Sequence, residues 1–467
     1  MNLNRRSFLG AAAGALGAAP RRKPNLVFIM ADDLGWGDVG CYGQEKIRTP
    51  HIDRLAAGGM RFTDAYSGCT VCAPCRSVLM TGLHMGHTSV RSNPGGVPLL
   101  PSDVTVAEVL KPAGYASGCF GKWGLGDINT EGVPWKQGFD NFFGYLHQVH
   151  AHWYYPKFLF DNERRYPLAG NGGGSEKTYS HDVIAEKALE FIRRNKDRPF
   201  FCYVPFTIPH WELKVPEDSL AEYRGKFPED GRLNDASGHY GHQDHPRAAY
   251  AAMITRMDRD VGRILSLLTE LNLDGDTLVI FTSDNGAAGR IKGDDYFRSC
   301  GPFRGHKQNF YEGGIRVPFI ARWPGRIKAG TTAGRFWHHQ DLLATAAELA
   351  GVKAPAGDGV SILPTLAGRR QPQPEFLYWE LPPYNGKDGT FRPGRPPGAV
   401  RMGEWKAVRS RLDGPLELFN LADDPGETRD LAPRKPAALA RIEEYLKTAR
   451  SEPRTQAALP HEYRKGE

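Results

Sequence analysis

Two short apolar runs, NLVFIM and TLVIFT, lead into acidic and amide side chains at widely separated points of the sequence. The residues that follow them include Asp32, Asp33, Asp284 and Asn285. A short, continuously apolar run predicts a buried strand, and ligands of open α/β sheets collect at the carboxyl ends of such strands. Three carboxylates and one amide oxygen suit Ca²⁺ or Mg²⁺, which prefer oxygen ligands. Either pair alone could instead cap a helix or form a turn, so the matching context of the two pairs carries this prediction.

The segment CTVCAPCRSVLMTG, which begins at Cys69, offers a second kind of chemistry. A helix that begins just after Pro74 would place Cys72 at its N-terminus, where the helix dipole and the free N–H groups favour an anion. Arg76 could then direct its guanidinium towards that anion. Catalysis by a Cys72 thiolate is the alternative. The cysteine spacing also occurs in iron–sulfur motifs, but a further cysteine followed by proline is missing after Cys75.

The elements that would position these residues follow an alternating pattern. Apolar runs predict further strands at 200–205 and 317–321. They alternate with segments in which the spacing of apolar residues predicts helices, at 104–110, 180–195, 248–271 and 339–350. Buried strands that alternate with helices indicate an α/β fold with a mostly parallel sheet between helices. Near residue 370 the pattern changes to short strands split by turns, with a last helix at 436–450. We therefore predict a catalytic domain over 24–370 and an antiparallel-sheet subdomain with one helix over 371–467.

Composition excludes several classes of protein. Hydrophobic residues make up 40% of the 467 residues and charged residues 24%, which is typical of a soluble globular chain rather than a disordered or multi-span membrane protein. The net charge is only +7, and the basic residues form no stripe or reader motif. We therefore expect no nucleic-acid partner. An anionic small molecule or a polysaccharide is compatible with this charge.

The first residues have the features of an export signal. Arg5 and Arg6 precede a weakly apolar, Ala- and Gly-rich stretch that ends near Ala19. This pattern predicts a twin-arginine-type signal over residues 1–19 and export to the periplasm. A chance basic N-terminus before an amphipathic helix is the alternative. The apolar stretch is shorter than a membrane-spanning helix requires, so we expect no stable membrane insertion.

The segment Cys72-Ala73-Pro74-Cys75-Arg76 resembles the C-x-P-S/C-R signature of type I sulfatases in the alkaline phosphatase superfamily. The resemblance covers roughly residues 24 to 450. It implies an alkaline-phosphatase-like fold and the oxidation of Cys72 to Cα-formylglycine by a formylglycine-forming maturase. It also implies a bound divalent metal, usually Ca²⁺, with Mg²⁺ as the alternative. The expected activity is the hydrolysis of a sulfate ester.

The resemblance implies roles for individual residues. The implied metal ligands are formylglycine at Cys72 together with Asp32, Asp33, Asp284 and Asn285. The implied catalytic residues, several of them in segments that match G-K-W, P-H and R-G-x-K, are Cys72, Arg76, Lys122, His210 and Lys307. In the expected mechanism, a metal-bound hydroxyl of the hydrated aldehyde attacks sulfur in line. The cationic side chains stabilise charge on the sulfuryl oxygens, and His210 is the candidate acid for the departing alcohol.

One position departs from the family pattern. The family often has G-K-W-H-L-G, whereas this chain has Gly124 in place of the histidine. That histidine is the usual base for the step that regenerates the aldehyde. His147, His150 and His152 follow about twenty-five residues later, and one of them could fill the space left by Gly124.

The sequence leaves the substrate open. Residues 148–156, QVHAHWYYP, combine Trp and Tyr with His, and such side chains suit a sugar face. Packing of this loop on the domain is the alternative. A sulfated carbohydrate is the favoured substrate, with an aryl sulfate as the simpler one. The alternatives are a phosphoester or phosphonate hydrolase of the same superfamily and a non-catalytic relative that binds anions or glycans.

Overall fold

The computed structural model describes residues 22–288 and 296–465, so the predicted signal at 1–19 lies outside the described residues. The described strands are β1 Asn25–Ala31, β2 Met60–Phe62, β3 Ala65–Tyr66, β4 Ala116–Lys122, β5 Asn141–Tyr145, β6 Phe158–Asp161, β7 Arg164–Pro167, β8 Phe200–Pro205, β9 Thr277–Ser283, β10 Phe319–Arg322, β11 Thr331–Ala333, β12 Trp337–His338, β13 Leu377–Glu380, β14 Gly398–Met402, β15 Trp405–Arg409 and β16 Glu417–Asn420. The strand predictions from apolar runs are confirmed, apart from shifts of one or two residues at some ends.

The helices cover the segments with helical spacing. They are α1 Pro50–Ala57, α2 Cys72–Thr81, α3 Val106–Leu110, α4 Ser180–Arg194, α5 Glu217–Tyr223, α6 Pro246–Glu270, α7 Glu312–Ile315, α8 Asp341–Ala350, α9 Leu363–Leu366 and α10 Pro436–Leu446. Short 3₁₀ turns connect several of them. Among the described residues, no helix combines the length and the apolar character needed to cross a bilayer.

The large sheet has the strand order β11-β2-β10-β9-β1-β8-β4-β5-β6-β7. Its five central strands, β9-β1-β8-β4-β5, run parallel to one another. Strand β10 runs antiparallel to β9, which the apolar pattern alone could not show because it carries no information on direction. Two separate clusters of buried apolar residues pack on the sheet, one containing Val27 and Ile29 and the other Leu26 and Phe28. Alternate residues of β1 therefore enter opposite cores, as a sheet covered on both faces requires.

The C-terminal part forms a second, smaller sheet. Its strand order is β13-β14-β15-β16, and each neighbouring pair is antiparallel. Helix α10 contributes Ile442 to a buried cluster that also contains Cys69 and Val78 from the catalytic part. The predicted fold class, a mostly parallel sheet with a smaller antiparallel sheet and one helix, is confirmed. The domain boundary near residue 370 stays a prediction.

Candidate active site

The two acid-ended strands lie side by side. Strands β1 and β9 pair in parallel with Ala31 opposite Ser283, so the residues after them leave the sheet at the same edge. The loop after β8 also reaches this edge, because the Asp32 backbone N–H donates to the Ile208 carbonyl. This is the carboxyl edge of the parallel strands, where open α/β sheets bind ligands.

Asp32 lies at the centre of a buried charge cluster. The Lys122 ammonium lies 2.7 Å from Oδ2 of Asp32, and the Cys72 thiol lies 3.4 Å from Oδ1. The Arg76 guanidinium approaches the same carboxylate at 3.8 Å and donates to Asp284 at 2.8 Å. All of these side chains are buried. Because burial excludes water from these side chains, the cations and not solvent neutralise the negative charge of the two carboxylates.

Asp33 holds the second half of the cluster together. Lys307 Nζ lies 2.7 Å from its Oδ1, and the Asn285 amide donates to the same oxygen at 2.7 Å. The His210 Nε2 lies 3.5 Å from Oδ2. Asp33 has a φ of 66°, and its N–H donates to Asp284 at 3.1 Å. This left-handed conformation is uncommon outside Gly, Asn and Asp, so it marks a constrained turn.

Cys72 is the first residue of α2, three residues earlier than the predicted start just after Pro74. Its side chain faces the cluster, and Lys307 Nζ lies 3.4 Å from Sγ. The next N–H of the helix, at Ala73, donates to the Asn93 side chain at 2.9 Å. Cys72 is only 2% exposed. Asn93 thus fixes the helix end that presents Cys72, a role that no sequence signal indicated.

Burial and nearby charges shift the pKa values of Asp32 and Asp284 in opposite directions. Burial alone would raise the pKa of Asp32, but Lys122 and the other nearby cations lower it well below its usual value. Burial and the negative charge of Asp32 raise the pKa of Asp284 to about 7, although Arg76 opposes this. Burial and Asp32 likewise raise the pKa of the Cys72 thiol. An unmodified Cys72 is therefore a poor thiolate nucleophile, which disfavours the thiolate alternative.

The donor atoms of the cluster fit a hard divalent cation. Ligand atoms of Asp32, Asp33, Cys72 and His210 all lie within 4.8 Å of one another. The Asn285 Oδ1 is buried and has no hydrogen-bond partner. Carboxylate oxygens and an orphaned amide oxygen are ligands that Ca²⁺ and Mg²⁺ accept. The structure thus brings together every predicted site residue, at one edge of the sheet.

A family model described as sulfatase matches residues 24–352. The chain belongs to the sulfatase family. A second model, described as N-sulphoglucosamine sulphohydrolase, C-terminal, matches residues 304–454. Among curated relatives, the dog N-acetylgalactosamine-6-sulfatase is 34% identical over 79% of this chain and 70% of its own length. Human arylsulfatase A is 33% identical over 91% of this chain and 86% of its own.

Solved structures support the same grouping. The structure of Ps i-CgsB in complex with a neocarrahexaose is 28% identical with a TM-score of 0.75 and covers 91% of this chain and 93% of its own. A sulfatase of Bacteroides thetaiotaomicron is 26% identical with a TM-score of 0.73, over 92% and 99%. A phosphonate monoester hydrolase of Agrobacterium radiobacter, at 22% identity, shares the fold. The chain is therefore a sulfuric ester hydrolase, and the non-catalytic alternative is not supported.

In this sulfatase, a glutamine occupies the space beside Gly124. A Cβ placed on Gly124 would lie 2.4 Å from Nε2 of Gln148, and that amide nitrogen is buried without a hydrogen-bond partner. His147 instead lies against Gly95 and Gly96. His147 therefore does not fill this space, and the suggestion that His150 or His152 takes the role of the missing histidine stays a prediction. The side chain beside Gly124 is thus a neutral amide, at the position where the resemblance implied a histidine.

His152 is a site residue that the sequence only hinted at. Its ring stacks on His210 with centroids 4.8 Å apart, and its Nδ1 lies 2.8 Å from Nε2 of His239. The loop that carries His239 was not singled out from the sequence, since nothing in its composition predicts contact with the site. His152 thus packs on the His210 ring, and His239 in turn contacts His152.

The aromatic and cysteine patterns around the site have structural roles in this sulfatase. Tyr154 is buried and donates to the backbone carbonyls of Thr207 and His210, so it positions His210 rather than presenting a sugar face. The thiols of Cys69 and Cys75 contact the Glu380 carbonyl and His339, respectively. The three cysteines of the run thus have different partners, which contradicts the iron–sulfur interpretation.

Proposed function

We propose that this enzyme removes sulfate from a sulfated carbohydrate and that Cys72, matured to formylglycine, is its nucleophilic residue. The main support for this proposal is that Cys72, two aspartates and three cations converge at one buried edge of the large sheet. The cations are Lys122, Lys307 and Arg76. The names of the relatives favour a sugar substrate, because they include an N-acetylgalactosamine-6-sulfatase and a structure that holds a neocarrahexaose. An aryl sulfate would serve as a surrogate substrate.

Two groups would complete this site. Hydrated formylglycine supplies an oxygen nucleophile, and a divalent metal, Ca²⁺ in preference to Mg²⁺, supplies positive charge beside it. The residues that would hold the metal are Asp32, Asp33, Asp284, Asn285 and residue 72. The arrangement excludes water from the carboxylates, so the charges act at low dielectric and are strong.

The chain's own cations would bind the sulfuryl group. Lys122 and Lys307 approach Asp32 and Asp33 from two sides, and Lys307, with 13% of its side chain exposed, lies nearest to solvent. Ammonium groups held in such fixed positions stabilise developing negative charge without reorganisation. Arg76 keeps Asp284 in place through its 2.8 Å contact. We therefore assign sulfate binding to the two lysines and positioning to Arg76.

His210 would deliver the proton to the leaving oxygen. Burial and Lys307 lower its pKa well below the usual value, which favours the neutral ring before substrate binds. A sulfate ester placed beside the ring carries negative charge and would favour the protonated form. His152, stacked against His210, keeps the ring turned towards the cluster.

The decisive test joins a mass measurement to a substrate panel. Protein made together with a formylglycine-forming maturase should give a Cys72 peptide that is lighter by roughly 18 Da than the cysteine form. The same protein should desulfate 4-nitrophenyl sulfate and at least one of two oligosaccharides, a chondroitin 6-sulfate tetrasaccharide and an ι-carrageenan hexasaccharide. An unmodified thiol in active protein would contradict the nucleophile. Faster release of phosphate from 4-nitrophenyl phosphate would favour the phosphoester alternative.

The export signal is part of the same proposal. Residues 1–19 would direct the folded enzyme to the periplasm, so the maturase would act in the cytoplasm before export. Twin-lysine replacement of Arg5 and Arg6 should retain the enzyme in the cytoplasm, whereas a matched change at Arg21 and Arg22 should leave export intact. Fractionation followed by N-terminal mass analysis measures this result, and periplasmic enzyme from the twin-lysine variant would contradict it.

A further inference from the structure

A cavity of about 700 Å³ lies where the C-terminal residues cross back over the catalytic domain. We call it the C-terminal cavity. Its volume falls within the range of small-molecule sites. Side chains from three parts of the chain line it, among them Asp127, Lys157, Phe158, Arg165, His461 and Tyr463. None of them belongs to the charge cluster of the active site.

The lining combines cations with aromatic rings. Lys157 and Arg165 are exposed, and within the described ranges neither forms an ion pair. The Arg165 guanidinium lies 4.5 Å above the Phe158 ring. Tyr463 stacks on the buried His150 ring, with 4.6 Å between centroids and an interplanar angle of 4°. Cations suit sulfate groups, and aromatic rings with polar edges suit sugar faces.

The two acidic residues of the cavity do not cancel its preference for sulfate groups. Asp127 is buried, and its Oδ1 accepts hydrogen bonds from the Tyr463 hydroxyl at 2.6 Å and the Ile128 N–H at 2.8 Å. Its role is therefore to hold Tyr463 in place. Glu462 also lines the cavity but is exposed to solvent, where its charge is screened.

The C-terminal cavity and the active site are separated by a single turn of 3₁₀ helix, His150–His152. His150 stacks on Tyr463 of the cavity, and His152 stacks on His210 of the active site. The C-terminal residues continue towards the same place, because the Lys465 ammonium donates to the Gly238 carbonyl, next to the His239 that contacts His152. One extended ligand could therefore reach both sites.

We propose that the C-terminal cavity binds a second sulfated sugar residue of the oligosaccharide whose target sulfate lies in the active site. The proposal rests on the proposed function. Lys157 and Arg165 contact the sulfate of that second sugar, and Tyr463 contacts its ring. The enzyme thus prefers an oligosaccharide to a sulfated monosaccharide, and the preference depends on residues distant from Cys72.

The test compares substrates of different length on one variant. The Lys157→Ala/Arg165→Ala double variant should lose on the order of tenfold in kcat/KM on the chondroitin 6-sulfate tetrasaccharide or the ι-carrageenan hexasaccharide, whichever the wild type desulfates. Its kcat/KM on 4-nitrophenyl sulfate should be unchanged. Arg164→Ala is the matched control, since Arg164 is exposed on the same strand but does not line the cavity.

Each result separates this proposal from the proposed function. An equal kcat/KM for the double variant and the wild type on the oligosaccharide would overturn the second subsite and leave the sulfatase assignment intact. An equal loss on 4-nitrophenyl sulfate would also overturn it, because the variant would then have damaged the active site. Hydrolysis of 4-nitrophenyl sulfate without desulfation of either oligosaccharide would contradict the carbohydrate substrate itself.

Discussion

Two of the buried clusters of ionised side chains differ in whether several ligand atoms converge on one point. One is the active-site cluster around Asp32. The other, which we call the anchor cluster, consists of Glu312, Arg316, Lys406 and Glu427 where the two sheets meet. In the anchor cluster, the Lys406 ammonium lies 2.8 Å from both glutamates, and Arg316 lies 2.6 Å from Glu312.

The comparison separates a structural charge cluster from a catalytic one. Burial alone would raise the pKa of Glu312, but Lys406 and Arg316 lower it, as expected for a carboxylate enclosed by cations. In the active site, ligand atoms of four side chains lie within 4.8 Å of one another, and the Asn285 Oδ1 beside them has no hydrogen-bond partner. Burial of charge therefore does not identify a reactive site. The convergence of several ligand atoms on one point does identify it, whereas a raised pKa does not, because burial raises the pKa of both Asp284 and Glu427 to about 7.

The largest expected effect comes from Cys72, which belongs to the active-site cluster and has no counterpart in the anchor cluster. Cys72→Ala should lower kcat by on the order of 10⁴-fold or more, because it removes the proposed nucleophilic residue. The melting temperature should change little, since alanine keeps the helix. Cys75→Ser is the matched control, because serine can keep the contact with His339. Steady-state kinetics on 4-nitrophenyl sulfate measures both, and substantial activity in Cys72→Ala would refute the assignment.

A matched pair of lysine variants tests the comparison directly. Lys406→Met should cost about 3–5 kcal/mol of stability, because it leaves two glutamates buried without their shared cation. The kcat of the protein that stays folded should be unchanged. Lys122→Met should instead lower kcat by on the order of 10²-fold or more through lost charge stabilisation. Urea unfolding and kinetics on the same samples separate the effects. The comparison fails if Lys406→Met lowers kcat as strongly as Lys122→Met does.

Metal removal should affect only the active-site cluster. EGTA should abolish activity and lower the melting temperature, and Ca²⁺ should restore both. At a free Ca²⁺ concentration of 100 times Kd, the stabilisation would be about 2.7 kcal/mol. Lys406→Met should keep the full Ca²⁺-dependent shift, while Asn285→Ala should reduce it. Thermal unfolding with and without Ca²⁺ provides the measurement, and activity that persists after dialysis against EGTA would speak against the metal.

The smallest effect is a pH dependence from the anchor cluster. Burial and Glu312 raise the pKa of Glu427 to about 7, although Lys406 opposes this, whereas an unfolded glutamate titrates near about 4.3. The folded state binds this proton more tightly, so stability is lost as the pH rises through that interval. Between pH 5 and 8, the wild type should therefore lose about 2–3 kcal/mol of unfolding free energy relative to Glu427→Gln. Urea unfolding at both pH values checks the sign. Glu312, with its lowered pKa, should contribute nothing over this interval.

The sequence predicted those parts of the site that depend on strand ends. Asp32 and Asp284 could be placed together because both follow short apolar runs, and the carboxyl ends of parallel strands share one edge. The contacts of His152, His239 and Gln148 could not be predicted, because they come from loops whose paths depend on packing far along the chain. The antiparallel direction of β10 and the return of the C-terminal residues to the catalytic domain were missed for the same reason.

The burial of Cys72 also determines the order of events during synthesis. With 2% of its surface exposed, this side chain is out of reach of another enzyme once α2 has docked. The oxidation of Cys72 that we propose must therefore precede folding, and the two processes would compete for each new chain. A chain that folds first keeps its thiol and is correctly folded but inactive. The fraction of active enzyme then depends on folding speed and maturase supply, so slower synthesis at low temperature should raise specific activity without any change in sequence.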